Sequence, residues 1–322
     1  RRAMMWMVLG LLAGSAVLAA LAWSGQLRVW HLFIGAFLNG IGWAMDNPVR
    51  RMMLGEVVGA PRMSLAMAVD IGTNNASRML GPTLGGVLLA SLGIGGCFAL
   101  SVVLYLVALH ASLGLAYRNA PMQAGGKPVL ARVLEGILLA WRDRRLRGIF
   151  AVTILYNLFG WPYICMVPVI AQDHLGLSTQ GIGVLASLDG VGAFIGAVAM
   201  ALLARPRGYA GAYTGGCAIY FAMVALFAFA PHAVPAGIAL LVLGIGGAGY
   251  SIMQTTLVYL AAPEAMRSRA LGVLSVCIGA GPLGFINLGL MANAIGAGPA
   301  TAAMGLEGLL ALALIWPLWR RI

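Results

Sequence analysis

Two carboxylates stand in the middle of long apolar stretches of this sequence. Asp189 lies within Leu185-Ala-Ser-Leu-Asp-Gly190, and Glu307 lies within Met304-Gly-Leu-Glu-Gly308. An apolar environment penalises the charged form of a carboxyl group, so such a group can bind a proton and release it when its surroundings change. Both are therefore candidates for a group that couples proton binding to a change in its surroundings, and Asp189 is the preferred one. The alternative role is a hydrogen bond between helices.

A second set of polar residues, Asp70, Asn74 and Arg78, recurs every four residues and so shares one face of a helix. A rise of about 1.5 Å per residue places Arg78 about 20 Å from the start of its apolar stretch. A cation at that depth needs a partner or water, so we expect Arg78 to serve a cavity or gate, or to pair with another helix. Asp70, also a coupling candidate, lies nearer the helix end, where capping or locking a loop is the preferred role.

Further polar and aromatic side chains are candidates for lining a cavity that binds a small amphipathic molecule, because such cavities are mostly apolar with few polar anchors. For a Trp or Tyr near the end of an apolar stretch, the alternative is an anchor at the membrane interface. The cavity candidates are Asn74, Tyr156, Asn157, Trp161, Gln254 and Asn287.

The sequence lacks the residue patterns of several kinds of metal site and catalytic site. The four Cys stand singly, without CxxC or zinc-finger spacing, and the four His have no acidic or thiol partners near them in sequence. We therefore expect no metal and no cofactor. The chain has no GxxxxGK[ST], GxSxG or HExxH pattern, which argues against an ATP-driven pump, against a hydrolase and, more broadly, against an enzyme.

The elements that must position these residues are membrane helices. Hydrophobic residues make up 61% of the chain and charged residues 9%, against roughly 45–50% and about 25% in soluble domains. A bilayer core of about 30 Å is crossed by about 20 apolar helical residues. The sequence thus predicts an all-α, polytopic membrane protein with about ten spans, near 3–23, 29–47, 64–91, 95–117, 148–171, 179–204, 210–230, 235–260, 269–295 and 298–319.

The distribution of basic residues predicts the orientation. The net charge of +11 could indicate nucleic-acid binding, but the basic residues form short clusters between apolar spans, so we expect no nucleic-acid partner. With Arg1 and Arg2 in the cytoplasm, all basic residues except Arg28 and Arg78 fall on the cytoplasmic side. The positive-inside rule then places both ends of this chain in the cytoplasm.

The chain also repeats itself at an offset of about 200 residues, which predicts two homologous bundles. Three segment pairs match in order: Gly40-Ile-Gly-Trp-Ala44 with Gly244-Ile-Gly-Gly-Ala248, Ala60-Pro61 with Ala262-Pro263, and Gly81-Pro82 with Gly281-Pro282.

The predicted domains follow from this repeat. Residues 1–117 form an N-terminal bundle, 118–147 a cytoplasmic linker ending in an interfacial helix, and 148–322 a C-terminal six-helix bundle. The spans within 148–204 have no counterpart in the first bundle. We therefore expect that the first two of its six helices precede residue 1, and that ten spans represent a fold of twelve.

These features resemble the major facilitator superfamily over essentially the whole chain. Arg1-Arg2 is similar to the end of its basic loop motif, G…DRxGRR. The segment 76–86, Ala-Ser-Arg-Met-Leu-Gly-Pro-Thr-Leu-Gly-Gly, resembles the antiporter motif of drug and siderophore exporters, although Ala68 and Ser77 stand where glycine is usual. The segment 262–272 resembles a loop of bacterial exporters similar to the enterobactin exporter and other transmembrane secretion effectors, with Ser268 replacing the central glycine.

The matched segments imply residues for motif packing and gating. A proline frees a backbone carbonyl and neighbouring glycines admit another helix, so the antiporter segment should flex while staying tightly packed; a simple kinked packing helix is the alternative. Asp46 lies beside Arg50 and Arg51, where a gate ion pair or ordinary charge pairing is expected. The motif and gating candidates are Gly81, Pro82, Gly85, Gly86, Asp46, Arg267 and Arg269.

The resemblance implies a secondary active transporter that exports a small amphipathic compound, a drug or a siderophore, in exchange for protons by alternating access. It implies a monomer in the lipid bilayer of a bacterial inner membrane. Three alternatives stay open: a metabolite importer of the same fold, an inactive truncated fragment, and a membrane-embedded enzyme or sensor.

Overall fold

The computed structural model describes the backbone of residues 2–114, 138, 141–320 and 322. Side chains are described for these residues except 2–3, 43–45, 47–48, 78–79, 82–87, 90 and 179–180. This described part is built of helices and contains no β-strand. The predicted all-α membrane architecture is confirmed.

The helices occur in chain order with short connections. Their bounds are α1 Arg2–Trp23, α2 Val29–Val58, α3 Met63–Gly114, α4 Arg144–Leu155, α5 Met166–Asp173, α6 Thr179–Leu203, α7 Tyr209–Ala228, α8 Ala233–Ala261, α9 Arg267–Ile278, α10 Gly281–Ile295, α11 Ala297–Leu314 and α12 Trp316–Trp319. Within the described residues, eight helical stretches are long and apolar enough to cross a membrane. The number is nine if Val49–Val58 and Ala60–Ser77, bent by 113°, form one span. The count of ten stays a prediction.

The second predicted span, 29–47, lies within a longer helix. Helix α2 continues past Pro48 to Val58. A proline is tolerated inside a membrane helix where neighbouring groups compensate for the freed backbone carbonyl. Here the side chain of Arg50 donates from Nε to Asp46 Oδ2 at 2.9 Å, so an ion pair bridges the turn that contains Pro48.

The third and fourth predicted spans are joined in one helical run, α3. Their boundary is Gly93, which has φ 67 and ψ −176 and interrupts the helical conformation. A positive φ of this kind is favourable for glycine and costly for residues with a Cβ. Gly93 therefore makes the break that the sequence predicts between residues 91 and 95.

The fifth predicted span is not one regular helix. After α4 the chain forms a π-helical turn at Tyr156–Gly160 and a 3₁₀ turn at Trp161–Cys165 before α5 begins. Pro162 has no N–H to continue an α-helix, and its ring would crowd the preceding turn. Widened turns of this kind are frequent at functional sites.

The described chain forms two compact units. One contains Arg1–Arg51 and Leu80–Lys127, and the other contains Met52–Met79 and Pro128–Ile322. Met52–Met79 thus belongs with the C-terminal helices, and its Met63 and Met67 are fully buried in their hydrophobic core. The division into bundles at 117 and 148, derived from the repeat, stays a prediction. Most of the predicted linker, including most of its interfacial helix, lies outside the described residues.

Glycines set the spacing of the C-terminal helices. A Cβ on Gly192 of α6 would collide with the carbonyl of Leu241 on α8, and a Cβ on Gly216 of α7 would stand 2.5 Å from the carbonyl of Gly246. Backbones can approach so closely only where side chains are absent. Helices α6 and α7 therefore pack directly against the backbone of α8.

Candidate functional site

A cavity of about 120 Å³ lies beside Asp189 in the unit of C-terminal helices. Its volume admits several water molecules. Asp189 is the tenth residue after Thr179 in α6, so it is about 15 Å along a helix of 25 residues. The lining residues are Asn75, Tyr163, Ile164, Val167, Pro168, Ala186, Ser187, Asp189, Gly190 and Leu240.

The position of Asp189 depends on the close contact between α6 and α8. A Cβ on Gly244 of α8 would collide with the carbonyl of Asp189 and would stand 2.6 Å from the backbone nitrogen of Ala193. Because the contact is between two backbones, it fixes the height and rotation of α6 at this point. The Asp189 side chain is half-buried and lines the cavity.

Five tyrosines are buried together next to this cavity; we call Tyr156, Tyr163, Tyr213, Tyr220 and Tyr250 the tyrosine cluster. Each is at most 5% exposed. The rings of Tyr156 and Tyr250 are stacked with centroids 3.7 Å apart, and those of Tyr213 and Tyr250 with centroids 5.2 Å apart. Tyr220 is 4.5 Å from Tyr156 and meets Tyr163 edge-on at 5.7 Å. The aromatic rings therefore form one continuous group.

Hydrogen bonds give part of this cluster a defined direction. Gln254 on α8 donates from Nε2 to the hydroxyl of Tyr250 at 2.5 Å and to Thr153 Oγ1 at 3.1 Å. The hydroxyls of Thr153 and Tyr213 are 3.0 Å apart. Because Tyr213 donates to the carbonyl of Ile149 at 2.7 Å, the bond between the two hydroxyls is donated by Thr153.

The π-helical turn carries two further buried polar groups, the amide of Asn157 and the hydroxyl of Tyr156. Asn157 donates from Nδ2 to the backbone carbonyl of Thr153 at 2.9 Å, and Tyr156 points its hydroxyl towards Gly247 of α8. A Cβ on Gly247 would stand 3.3 Å from that hydroxyl and 3.1 Å from the ring of Tyr220. The widened turn and the glycine together make room for the ring stack.

A separate cluster surrounds Tyr259 near the end of α8. The guanidinium of Arg267 lies 4.2 Å from the centroid of the Tyr259 ring, donates from Nε to its carbonyl at 3.2 Å, and reaches Glu264 at 3.5 Å. On the same ring lies Gly55 of α2, where a Cβ would collide with the aromatic carbons. Tyr259 is thus enclosed by Arg267 and Gly55. We call Tyr259, Arg267, Glu264 and Gly55 the Tyr259 cluster.

The unit containing the first helices has a cavity of about 280 Å³, which is larger than the one at Asp189. Its lining includes four polar side chains, those of Ser15, Asn39, Ser101 and Tyr105, and is otherwise apolar or glycine. The ring of Phe98 also contributes to it. All its lining residues are uncharged, whereas the smaller cavity contains a carboxylate.

The sequence was compared with known families and proteins. The model of the Major Facilitator Superfamily matches residues 1–285. The chain belongs to the Major Facilitator Superfamily. It is therefore a multi-pass membrane transporter, and the predicted family and fold are confirmed.

Two curated relatives of this transporter are known from bacteria. The multidrug efflux pump Tap of Mycolicibacterium fortuitum is 27% identical over 296 residues, which cover 86% of this chain and 68% of Tap. The staphyloferrin A transporter of Staphylococcus aureus is 23% identical over 184 residues, which cover 56% of this chain and 46% of that protein.

Solved structures show the same fold at lower identity. The human organic anion transporter MFSD10 superimposes with a TM-score of 0.77 at 17% identity, covering 97% of this chain and 76% of MFSD10. The fucose:proton symporter FucP of E. coli gives 0.76 at 11% identity, covering 99% and 82% of the two chains. A bacterial homologue of ferroportin in an outward-facing state gives 0.68 at 16% identity, covering 99% and 81%.

Several predicted site residues of the transporter come together in the C-terminal unit. Tyr156, Asn157 and Gln254 belong to the buried polar and aromatic group, and Asp189 lines the adjacent cavity. Trp161 follows in the 3₁₀ turn and is half-buried.

Others lie elsewhere in the same helices. Asn287 on α10 donates to the sulfur of Met304 at 3.3 Å, and Arg269 donates to the sulfur of Met266 at 3.1 Å. Glu307 is half-buried on α11 and is not among the lining residues of either cavity. Asp70 is half-buried on α3.

Asn75, the neighbour of the cavity candidate Asn74, lines the cavity with Asp189. The side chain of Asn74 is exposed and is not among the lining residues of this cavity. Adjacent residues on a helix point about 100° apart, so the two amides face different directions. The role of Asn74 in a substrate cavity stays a prediction.

The structure describes only some side chains of segment 76–86, which resembles the antiporter motif. The side chains of Arg78 and Pro82, and those at 85 and 86, lie outside the described residues. At Gly81 no described atom lies within 4 Å of the place of a Cβ, and at its repeat partner Gly281 the nearest atom is the carbonyl oxygen of Asn157 at 4.0 Å. The tight packing expected of this segment stays a prediction.

Four residues of the tyrosine cluster were missed by the sequence analysis: Tyr163, Tyr213, Tyr220 and Tyr250. A signal was available, since Tyr156 and Tyr163 are seven residues apart, as are Tyr213 and Tyr220. Residues seven apart lie on one helix face, so two apolar spans each carry a face with two phenols. Among the described residues no group of three or more His, Cys, Asp or Glu side chains could hold a metal ion.

Proposed function

We propose that this transporter exports a small amphipathic compound in exchange for protons, and that Asp189 is the group that carries the proton. The observation that carries the proposal is the position of Asp189, a carboxylate in mid-helix at a cavity with the polar side chains of Asn75, Ser187 and Tyr163. An ionisable group at membrane depth is costly to retain and usually serves function.

The cavity gives Asp189 two environments. When water fills it, the carboxylate is hydrated and its proton is released; when the cavity closes, the apolar side chains of Val167 and Leu240 favour the neutral acid. If substrate and proton stabilise opposite arrangements of the helices, movement of one drives movement of the other.

Support for export of a drug or siderophore comes from the resemblances. The antiporter-like segment at 76–86 favours exchange, one relative is named a multidrug efflux pump, and another is named for a siderophore. The mainly apolar cavity with uncharged polar groups in the first unit suits an amphipathic compound. We propose a monomer in a bacterial inner membrane, with the arginine-rich loops in the cytoplasm.

The Tyr259 cluster is the proposed cytoplasmic gate. The first turns of α4 and α9 and the segment before α7 lie at one end of the C-terminal helices, which we call the basic end. They carry Arg144, Arg145, Arg147, Arg205, Arg207 and Arg267. At this end the backbone of α2 at Gly55 lies on the Tyr259 ring. Arg267 holds the ring through its cation–π contact and its bonds to α8. Separation of α2 from Tyr259 would open the basic end.

The test uses the purified chain in proteoliposomes with ethidium as substrate. The wild-type chain should release protons on ethidium exchange and should accumulate ethidium against its gradient when a pH gradient is imposed. Asp189→Asn should lower both by at least tenfold, because the amide cannot bind a proton in this range. Ethidium counterflow, which needs no net proton movement, should persist.

Two further variants make the result specific. Asp173→Asn changes an exposed carboxylate at the end of α5 and should leave all three measurements within twofold. Glu307→Gln tests the competing carboxylate. If Glu307→Gln abolishes coupling while Asp189→Asn retains it, the proton carrier is Glu307 and the assignment to Asp189 is wrong.

A further inference from the structure

Two segments that are far apart in the sequence meet at the basic end. A Cβ on Gly148 of α4 would stand 2.7 Å from the carbonyl oxygen of Leu318 in α12 and 3.1 Å from the side chain of Ile322. The beginning of α4 therefore lies directly against residues 316–322, which include the short helix α12.

Both segments bring arginines to this contact. Arg144 and Arg145 lie four and three residues before Gly148, so they share its face of α4. Arg147 is the residue next to Gly148, and Arg320 directly follows α12. We call Arg144, Arg145, Arg147 and Arg320 the arginine patch.

The arginine patch has no neutralising partner in the part of the chain that the structure describes. None of its members forms an ion pair with a described carboxylate. Nε of Arg147 is buried and has no hydrogen-bond partner among the described residues. Asp143 is used to cap α4, because its Oδ1 accepts from the backbone nitrogens of Arg145 at 2.7 Å and Leu146 at 3.1 Å. Positive charges at short range repel one another, so the patch favours an anion from outside the chain.

Tryptophans place the patch at the depth of lipid headgroups. Trp316 and Trp319 of α12 pack edge-on with ring centroids 4.4 Å apart. The indole N–H of Trp319 donates to the carbonyl of Leu312 at 2.8 Å, and Trp316 is 49% exposed. Trp141, shortly before α4, is 69% exposed. Tryptophan is enriched where a membrane meets water, at headgroup level. The arginines beside these rings therefore lie within reach of lipid phosphates.

The chemistry of the patch fits a phosphate that carries acyl chains. A guanidinium group offers a planar fork of N–H donors that matches two phosphate oxygens at once, and the cytoplasmic leaflet is rich in anionic phospholipid. Arg144, Arg145 and Arg320 are exposed, so these donors face the surroundings of the protein. Leu314, two residues before Trp316, is 81% exposed and offers an apolar surface for an acyl chain.

We propose that the arginine patch and α12 form a binding site for the phosphate headgroup of an anionic phospholipid in the cytoplasmic leaflet. The headgroup bridges α4 and α12, and its acyl chains lie along the exposed apolar surface at the end of α11. The proposal goes beyond the transport mechanism. It uses the proposed orientation of the basic end and is independent of the group that carries the proton.

The experiment measures lipid binding to the purified chain in detergent by native mass spectrometry, with thermal unfolding as a second readout. The probes are phosphatidylglycerol, which is anionic, and phosphatidylcholine with the same acyl chains, which has a phosphate but no net charge. We expect phosphatidylglycerol to bind at least tenfold more tightly and to raise the midpoint of unfolding, because a ligand of the folded state stabilises it. Inorganic phosphate at the same concentration should leave the midpoint unchanged.

Charge-removing variants locate the site. Arg147→Gln combined with Arg320→Gln removes one guanidinium from each segment and should weaken phosphatidylglycerol binding at least tenfold. Arg205→Gln combined with Arg207→Gln is the matched control, since it removes the same charge from exposed arginines before α7 and should keep binding within twofold of wild type.

A second variant covers the case in which the first fails to fold. Arg147 is partly buried, whereas Arg144 and Arg320 are both exposed. Arg144→Gln combined with Arg320→Gln should therefore fold normally and should also weaken phosphatidylglycerol binding at least tenfold.

Three outcomes would overturn the proposal. The first is wild-type binding of phosphatidylglycerol by the variants of the arginine patch. The second is an equal loss in the Arg205 and Arg207 control, which would mean that the charge of the whole basic end attracts the lipid. The third is a rise in the midpoint with inorganic phosphate as large as that with phosphatidylglycerol, which would mean that the arginines bind a soluble anion. None of these measurements depends on transport, so a failure of the proposed function would be seen separately in proteoliposomes.

Discussion

The two glycine-rich segments related by the internal repeat behave differently in their units. In α8, Gly244 lies against the backbone of Asp189, and Gly247 lies against the rings of Tyr220 and Tyr156. In α2, Gly40 has no described atom within 4 Å of the place of a Cβ, and Gly42 meets only the flexible side chain of Leu11, at 3.0 Å. Among the described residues, the same small-residue pattern makes backbone contacts in α8 but not at Gly40 and Gly42 of α2.

A glycine of α10 makes a backbone contact of the same kind as those of α8. Gly284 leaves room for the carbonyl of Leu158 in the π-helical turn. The glycines of the C-terminal helices therefore set the positions of the two unusual local features, the carboxylate of Asp189 and the widened turn at Tyr156. The difference between the repeats is a difference in what their glycines hold in place.

The largest expected effect is that of filling the α6–α8 contact. Gly244→Ala places a Cβ on the carbonyl of Asp189, which cannot move without shifting a whole helix, so we expect a loss of more than about 3 kcal/mol in the free energy of unfolding. Gly40→Ala should stay within about 0.5 kcal/mol or stabilise slightly, since alanine is the better helix former. Unfolding of both variants in the same detergent, followed by circular dichroism, measures the difference.

Equal stability of Gly244→Ala and Gly40→Ala would contradict this comparison. It would mean that the two repeats tolerate a methyl group alike and that α6 is not held at Asp189 by backbone contact. A Gly244→Ala protein that folds normally but transports more slowly would instead locate the effect at the cavity rather than in global packing.

The sequence predicted the helical class well, because a run of apolar residues is a local signal. The structure places Asp189 in mid-helix beside a cavity, and its role stays a prediction. The sequence missed the extension of α2 beyond Pro48, since the Asp46–Arg50 pair that bridges this turn forms only once the helix exists. It did not single out Asn75, which lines the cavity at Asp189, because the spacing of polar residues gives a helix face only to within about one residue. The hydrogen-bonded partners of the tyrosine cluster lie up to 101 positions apart, as Thr153 and Gln254 do, and no local pattern shows that such distant residues meet.

The next effect in size concerns the cavity that the α6–α8 contact positions. Asn75 lines it and Asn74 does not, so Asn75→Ala should lower the rate of proton-coupled ethidium transport by about tenfold, which corresponds to about 1.4 kcal/mol. Asn74→Ala should change that rate by less than twofold. Initial rates in proteoliposomes with matched protein content make the comparison, and a larger effect of Asn74→Ala would return the assignment to the original spacing argument.

A third prediction concerns Gly55, a glycine of α2 that does meet an aromatic ring. Gly55→Ala should push the Tyr259 ring away and weaken the proposed gate, because a Cβ there collides with the ring carbons. We expect a severalfold faster reaction of a cysteine introduced at Ala262, which is 3% exposed at the end of α8, with a membrane-impermeant maleimide applied to inside-out vesicles. Gly10→Ala, where no described atom lies within 4 Å of the place of a Cβ, is the control and should leave the labelling rate unchanged.

The smallest expected effect is that of the Asp46–Arg50 ion pair in α2. The two side chains are 25% and 27% exposed and lie one helical turn apart, so the pair should contribute about 0.3–0.5 kcal/mol to stability. Asp46→Asn should therefore lower the free energy of unfolding only slightly, and added salt should shrink the difference from wild type. A loss of transport by Asp46→Asn without a change in stability would show that the pair works as a gate. In that case α2 would be important for function through its charges, while α8 is important through its glycines.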